Sequence, residues 1–105
     1  NGMGFDIQML GKHSNSIYPP YHINFFNPKS IEALLKKIGF KVVFIDTPGE
    51  LDLSIVENNQ HLLSGEKKDF MKCVIKNTSK KYRLQFQKYL RDNKLSSHMR
   101  IVVKK

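Results

Sequence analysis

The side chains with the clearest chemical potential in this sequence lie close together, from Tyr21 to Asn24. His22 could accept a proton from a nucleophile or orient a substrate oxygen. The alternative is a histidine that only hydrogen-bonds the backbone of its own loop. Tyr21, like Tyr18, could stack on a flat substrate or merely fill space. We therefore treat Tyr21, His22 and Asn24 as candidate substrate-binding residues.

The remaining chemically capable residues do not form a recognisable catalytic pattern. Asp6 and Asp52 are isolated carboxylates, interpreted as a turn residue and a helix-start residue. Ser97 and His98 are adjacent but lack an identifiable third partner for a nucleophilic triad. Cys73 is expected to be packed on the apolar side of a helix rather than reactive. No zinc-type spacing links the cysteine to the four histidines, which are His13, His22, His61 and His98.

The composition limits the classes of protein to which this chain can belong. The chain has 105 residues, of which 40% are hydrophobic and 26% charged, which fits one domain or a piece of one. It has no apolar run long enough for a membrane span. Its single cysteine excludes an internal disulfide and is compatible with the cytoplasm, where we expect the protein to act. The opening Asn-Gly-Met-Gly-Phe leads us to expect a fragment of a larger protein.

The positive charge is concentrated in the second half of the chain. Residues 1–65 carry five lysines and six acids, a net charge of −1, whereas residues 66–105 carry thirteen Lys or Arg and three acids, a net charge of +10. Such asymmetry is typical of surfaces that bind nucleic acid or another polyanion. The alternative is a lysine-rich surface that only keeps the protein soluble. A basic binding module over residues 66–105 is therefore our alternative function.

A capped helix followed by an apolar strand is the clearest structural signal. Asn27 and Pro28 fit the N-cap and first helical position, and Gly39 fits the end of the helix. The strand predicted at 40–45 is apolar at five of six positions, which predicts that it is covered on both faces. The apolar face of the helix has helical spacing and consists of Ile31, Leu34, Leu35 and Ile38.

Weaker patterns predict the other elements. Residues 1–17 are expected to be irregular or weakly helical. Thr47 and Glu50 fit a capping box for a short helix whose apolar side includes Leu51 and Ile55, although the alternation at 51–56 also permits a strand. Two further helices are predicted at 66–76 and 80–91, separated by capping residues at 77–79, and a final strand closes the chain. Their expected apolar faces are Phe70, Met71, Val74 and Ile75 in the first helix, and Tyr82, Phe86, Tyr89 and Leu90 in the second.

The order of these motifs resembles the C-terminal part of a class I S-adenosylmethionine-dependent methyltransferase. The resemblance rests on P-P-x-H-I-N-F-F at 19–26, S-I-x-x-L-L-x-x-x-G-F-x-V at 30–42 and T-P-G-x-L-D at 47–52. G-F-D-I at 4–7 and F-Q-x-Y-L-x-x-N-x-L-S-S-H-M at 86–99 extend it over nearly the whole chain. It implies an α/β fold, the C-terminal portion of a Rossmann-like methyltransferase, with helices on a small sheet whose strands near 41–46 and 99–104 pair antiparallel.

The resemblance also implies what this piece does and lacks. It places His22 and Asn24 in a loop that faces the substrate opening, and the reaction would be direct attack of an acceptor nucleophile on an activated methyl group. The cofactor half is missing, because no strand leads into a glycine-rich loop and Gly2 and Gly4 merely flank Met3. S-adenosylmethionine is thus expected for the parent protein but not for this chain alone. The missing domain is the expected partner, and open sheet edges predict self-association.

Overall fold

The computed structural model describes residues 1–77 and 79–105, which fold into a mixed α/β arrangement of five α-helices and a two-stranded antiparallel sheet. The elements are α1 (Phe5–Leu10), α2 (Pro28–Lys37), β1 (Lys41–Asp46), α3 (Asp52–Asn58), α4 (Gly65–Asn77), α5 (Lys80–Asp92) and β2 (Arg100–Lys104), with 3-10 turns at Gly11–His13 and Gln60–Leu62.

The caps predicted for α2 are present at both of its ends. The side chain of Asn27 accepts a hydrogen bond from the backbone N–H of Ser30 at 2.9 Å, and the Ser30 hydroxyl accepts one from the backbone of Asn27 at 2.9 Å. This reciprocal box satisfies two of the free N–H groups at the helix start. Gly39 has φ of +90°, a left-handed conformation that glycine adopts without strain, and it turns the chain into β1.

Strands β1 and β2 pair antiparallel, as the sequence predicted. Lys41 lies opposite Lys104 and Asp46 opposite Arg100. The register shifts between Val42 and Phe44, which identifies a bulge at the residue between them. Because β2 begins directly after residues 96–99, this pairing brings that segment next to the end of β1, where the candidate site lies.

The prediction that β1 is covered on both faces is wrong for the part of the chain that the structure describes. Helix α2 packs along β1, yet Val43 is 55% exposed and Phe44 is 43% exposed. A two-stranded sheet with one neighbouring helix cannot shield two faces. The apolar sequence of β1 is therefore typical of a strand covered on both faces, although these elements leave part of it exposed.

The hydrophobic core lies among the helices and not on the sheet. Helix α1 packs against α3, and α3 against α5. Their contact surfaces enclose a small cluster that excludes water from the centre of this region. The buried members of the cluster are Leu10, Leu53, Val56, Leu63 and Met71, with Phe5, Phe86 and other partly buried side chains around them.

Two expectations about helix starts are wrong. Thr47 does not cap a helix, because α3 begins only at Asp52; Thr47 is instead buried, and its hydroxyl donates to the carbonyl of Arg91 at 3.0 Å. Leu51, expected on the apolar side of that helix, is 65% exposed, since it precedes the first helical turn. At the other end of the chain, the segment expected to be irregular or weakly helical contains a short helix at Phe5–Leu10.

Helices α4 and α5 are present as predicted, but their faces differ from expectation. Phe70, Tyr82 and Tyr89 are exposed although they were placed on apolar faces, and Cys73 is exposed rather than packed. A short, mostly polar helix buries only a narrow stripe, so residues at its margin stay in water. The predicted caps at 77–79 include Thr78, which lies outside the described residues.

Candidate functional site

A cleft of about 690 Å³ lies between the loop that precedes α2 and the segments that flank the sheet. Its apolar lining includes Phe25, Phe26 and Ile55. Its polar lining comes from distant parts of the chain and includes Ser16, His22, Asn24, Glu50, Asp52, Ser96, Ser97 and His98. A concave apolar surface with a few convergent polar groups is the usual form of a small-molecule site.

Two of the three predicted site residues line this cleft. His22 and Asn24 both contribute to its wall, whereas Tyr21 does not. The ring of Tyr21 stacks on that of Tyr18, with centroids 5.7 Å apart and planes 11° from parallel, and it is 78% exposed. The tyrosines therefore do not fill space inside the protein; they form an exposed aromatic pair beside the cleft.

The loop holds His22 and Asn24 through its backbone. The N–H of His22 donates to the carbonyl of Tyr18 at 3.0 Å, and the N–H of Gly2 donates to the carbonyl of Phe26 at 2.8 Å. Within the described residues, neither the His22 ring nor the Asn24 amide has a hydrogen-bond partner. The interpretation of His22 as a histidine bonded to its own loop is thus not supported, and both side chains are available to a ligand.

The opposite wall is a buried polar cluster centred on Asp52. Its carboxylate accepts hydrogen bonds from Gln87 Nε2 at 2.7 Å, from Ser96 Oγ at 2.6 Å and from the backbone N–H of Ser97 at 2.7 Å. The Gln87 amide also donates to the carbonyl of Gly49 at 3.0 Å and accepts from the backbone of Leu53 at 3.3 Å. Asp52 was interpreted as a helix-start residue, and it is the first residue of α3. Its three bonds make it a structural carboxylate.

Two glycines let the chain approach this wall closely. A Cβ atom at Gly49 would lie 1.9 Å from Ser96 Oγ, and one at Gly4 would lie 2.4 Å from the Cα of Ser97. Real side chains do not tolerate such distances, so both positions require glycine for space. The space beside Gly4 is therefore occupied by protein atoms, so a phosphate or a cofactor could not bind against that glycine. The same holds for Gly2, where a Cβ would lie 3.2 Å from the Cβ of Phe25.

The sequence pattern did not identify the third side of the cleft, formed by Ser96, Ser97 and His98. The signal was available, because Leu-Ser-Ser-His-Met is part of the motif behind the resemblance. Ser97 Oγ is buried without a hydrogen-bond partner within the described residues, so it does not bond to the adjacent His98. A serine–histidine nucleophile is thus not assembled here.

Asp6 lies near the cleft but is held by its own segment. It is fully buried in the first turn of α1, and its Oδ2 accepts from the hydroxyls of Ser14 at 3.1 Å and Ser16 at 2.9 Å. These bonds fold the chain after α1 back onto the helix, which positions Ser16 on the cleft. Across residues 1–77 and 79–105, no three His, Cys, Asp or Glu side chains group as metal ligands would.

Comparison of the chain with protein-family models, curated proteins and solved structures found no match. Among the residues that the structure describes, no helix combines the length and apolar character that crossing a bilayer requires. The chemistry of the cleft is therefore argued from its own groups. A histidine and an amide with free hydrogen-bonding capacity can bind and orient a polar group, and the histidine can accept its proton.

Proposed function

We propose that this chain is the substrate-side, C-terminal part of a class I S-adenosylmethionine-dependent methyltransferase. The observation that carries the proposal is the antiparallel pairing of β1 with β2 behind α2. The resemblance required that pairing, and a helix, a glycine turn and a strand in that order do not by themselves impose it. The uncovered apolar face of β1 gives further support, because the additional helices of a larger α/β fold would cover it.

In this proposal the chain binds and orients the methyl acceptor in the cleft. His22 takes the proton of the attacking group or fixes an acceptor oxygen, and Asn24 holds a second polar atom of the acceptor. Orientation of two reactants is a large source of acceleration in direct transfers. The cofactor supplies the activated methyl group; Gly2 and Gly4, near the start of this chain, are packed against protein.

The test compares this chain with the protein extended by the coding sequence that precedes it. We expect calorimetric titration to show saturable binding of S-adenosylmethionine to the extended protein and none to this chain. In the extended protein, His22→Ala should leave cofactor binding intact and lower methyl transfer to a small-molecule extract by about 100-fold or more, the usual contribution of general acid–base catalysis.

The matched control is His13→Ala, which removes an exposed histidine of the 3-10 turn that does not line the cleft. It should leave the transfer rate unchanged. Absence of cofactor binding by the extended protein would contradict the assignment to methyltransferases. Equal effects of the two histidine substitutions would contradict the role given to His22.

A further inference from the structure

The aromatic residues of α5 divide into one that packs and two that do not. Phe86 meets Phe5 edge to face, with ring centroids 5.3 Å apart. Tyr82 and Tyr89 are 55% and 56% exposed. The core does not explain two large rings left in water on one helix, because Phe86 is the α5 side chain packed against the core cluster and Leu90 is buried separately.

These tyrosines belong to an exposed stripe, here called the α5 outer face, made of Lys81, Tyr82, Gln85, Lys88 and Tyr89. Residues three and four apart are neighbours on a helix, so Gln85 connects the two tyrosines and also the two lysines. The rings are about 10 Å apart along the axis, at 1.5 Å per residue. Each ring therefore presents a separate flat surface, with a lysine beside it.

Part of the positive charge of this region is available at the start of the outer face, whereas the arginines of α5 are neutralised by acids. Arg83 is bound to Glu57, and Arg91 lies 3.4 Å from Glu50, so both arginines of α5 are paired on its other sides. Lys88 contacts Asp92 at the helix end. Among the described residues, Lys80 and Lys81 make no ion pair. The stripe thus offers cationic groups to a partner within a half of the chain that carries +10.

We propose that the α5 outer face binds single-stranded nucleic acid, with bases stacked on Tyr82 and Tyr89 and phosphates held by Lys81 and Lys88 of that face and by Lys80 at the start of the helix. Base–aromatic stacking and phosphate contacts are the two forces by which such strands bind without sequence preference. A duplex offers no free base face to the tyrosines. An anionic bilayer would need several exposed aliphatic side chains on one face, yet on α5 Leu84 is exposed alone, whereas Phe86 and Leu90 face the protein interior.

The experiment measures fluorescence anisotropy of a labelled oligouridylate of about 12 nucleotides, a length within the site sizes of single-strand binders. Three phosphate contacts predict that affinity falls about 20-fold between about 50 and about 200 mM salt. Lys81→Glu/Lys88→Glu should weaken binding by about 10-fold or more. The control, Lys29→Glu/Lys37→Glu, makes the same charge change on exposed residues of α2 and should have a much smaller effect.

The role of the two tyrosines is tested with one double variant that removes the aromatic rings and one that keeps them. Tyr82→Leu/Tyr89→Leu should weaken binding by about 10-fold or more, since stacking contributes about 1–3 kcal/mol per base, whereas Tyr82→Phe/Tyr89→Phe should retain it. The proposal is overturned by an absence of binding at low salt, by equal binding of a duplex, by leucine variants that bind like the parent, or by tighter binding to phosphatidylserine vesicles than to the oligonucleotide. It does not depend on the methyltransferase proposal.

Discussion

The helical region, made of α1, α3, α4 and α5, and the sheet region, made of α2, β1 and β2, differ in what their apolar residues do. The helical region buries Leu53, Val56 and Met71 to 3% exposure or less. Helix α2 has no buried residue, and along β1 three residues are exposed and three are half-buried. The sheet region nevertheless has the more regular sequence signals, with both caps of α2 formed as predicted.

The difference shows that clear local sequence signals for secondary structure and a well-buried hydrophobic core are separate properties of a region. Caps and turns fix the path of α2 and β1 through contacts a few residues apart. Burial of β1 needs partners that lie far along the chain or outside it, because one helix and one strand cover little area. The helical region closes its core with short elements because the Asp52 cluster joins α3, α5 and the segment before β2.

The largest expected effect is on that cluster. Asp52→Ala removes the acceptor of three hydrogen bonds and leaves their buried donors unpaired, so the free energy of unfolding should fall by about 3 kcal/mol or more. Urea unfolding followed by circular dichroism measures this. If the alanine variant does not fold, Asp52→Asn provides a milder change that should still destabilise the protein.

The matched control is Asp69→Ala on α4, which removes an acid whose side chain is 76% exposed and pairs only with Lys72. Its effect should stay within about 0.5 kcal/mol, as for most surface changes. Similar unfolding midpoints for the Asp52 and Asp69 variants would show that the polar cluster does not hold the helical region together.

A matched pair of valines then compares the two cores. Val56→Ala in α3 opens a cavity at a fully buried site and should cost about 2 kcal/mol, whereas Val43→Ala, at the exposed bulge of β1, should change stability by less than about 0.5 kcal/mol. The measurement is again the free energy of unfolding in urea. An equal cost at the two sites would mean that β1 is covered in solution, for example by a second copy of the chain.

The accuracy of the sequence-based predictions follows the same division. The caps of α2, the glycine after it and the strand pairing were predicted correctly, because they depend on local chemistry or on the order of motifs. The positions of Tyr82, Tyr89 and Cys73 were wrong, because helical spacing gives the direction of a face but not how wide a stripe its neighbours cover. Thr47 was misassigned because its true partner, the Arg91 carbonyl, is distant in sequence.

The candidate site was predictable only in part. His22 and Asn24 line the cleft because their loop is held in place at both ends, by the turn that begins at Tyr18 and by the cap of α2 at Asn27. Tyr21 does not line the cleft, because it lies in the turn at 19–21 and its ring stacks on that of Tyr18. The contribution of Ser97 and His98 depends on the pairing of β2 with β1, which brings residues 96–99 across the molecule.

The smallest expected effect concerns one ion pair in each region. Arg83 and Glu57, in the helical region, are 29% and 27% exposed, while Arg100 and Asp46, at the end of the sheet, are 59% and 38% exposed. In each pair the hydrogen bond from the arginine holds the pKa of the carboxyl below its ordinary value, which is 4.5 for Glu57 and 3.8 for Asp46. Because the pKa is lower in the folded state, the ionised carboxyl stabilises the folded protein at pH values above that ordinary pKa.

This stabilisation should be lost as pH falls through the lowered pKa of each acid. A double-mutant cycle with Arg83→Gln and Glu57→Gln should give a coupling of about 1 kcal/mol at neutral pH, and the coupling should decrease as the pH falls below 4.5 and through the lowered pKa of Glu57. The corresponding cycle for Arg100 and Asp46 should give a smaller coupling that added salt abolishes, since water screens that pair more fully. A larger coupling at the sheet would reverse the comparison, because it would mean that the pair is desolvated and that the sheet region is covered after all.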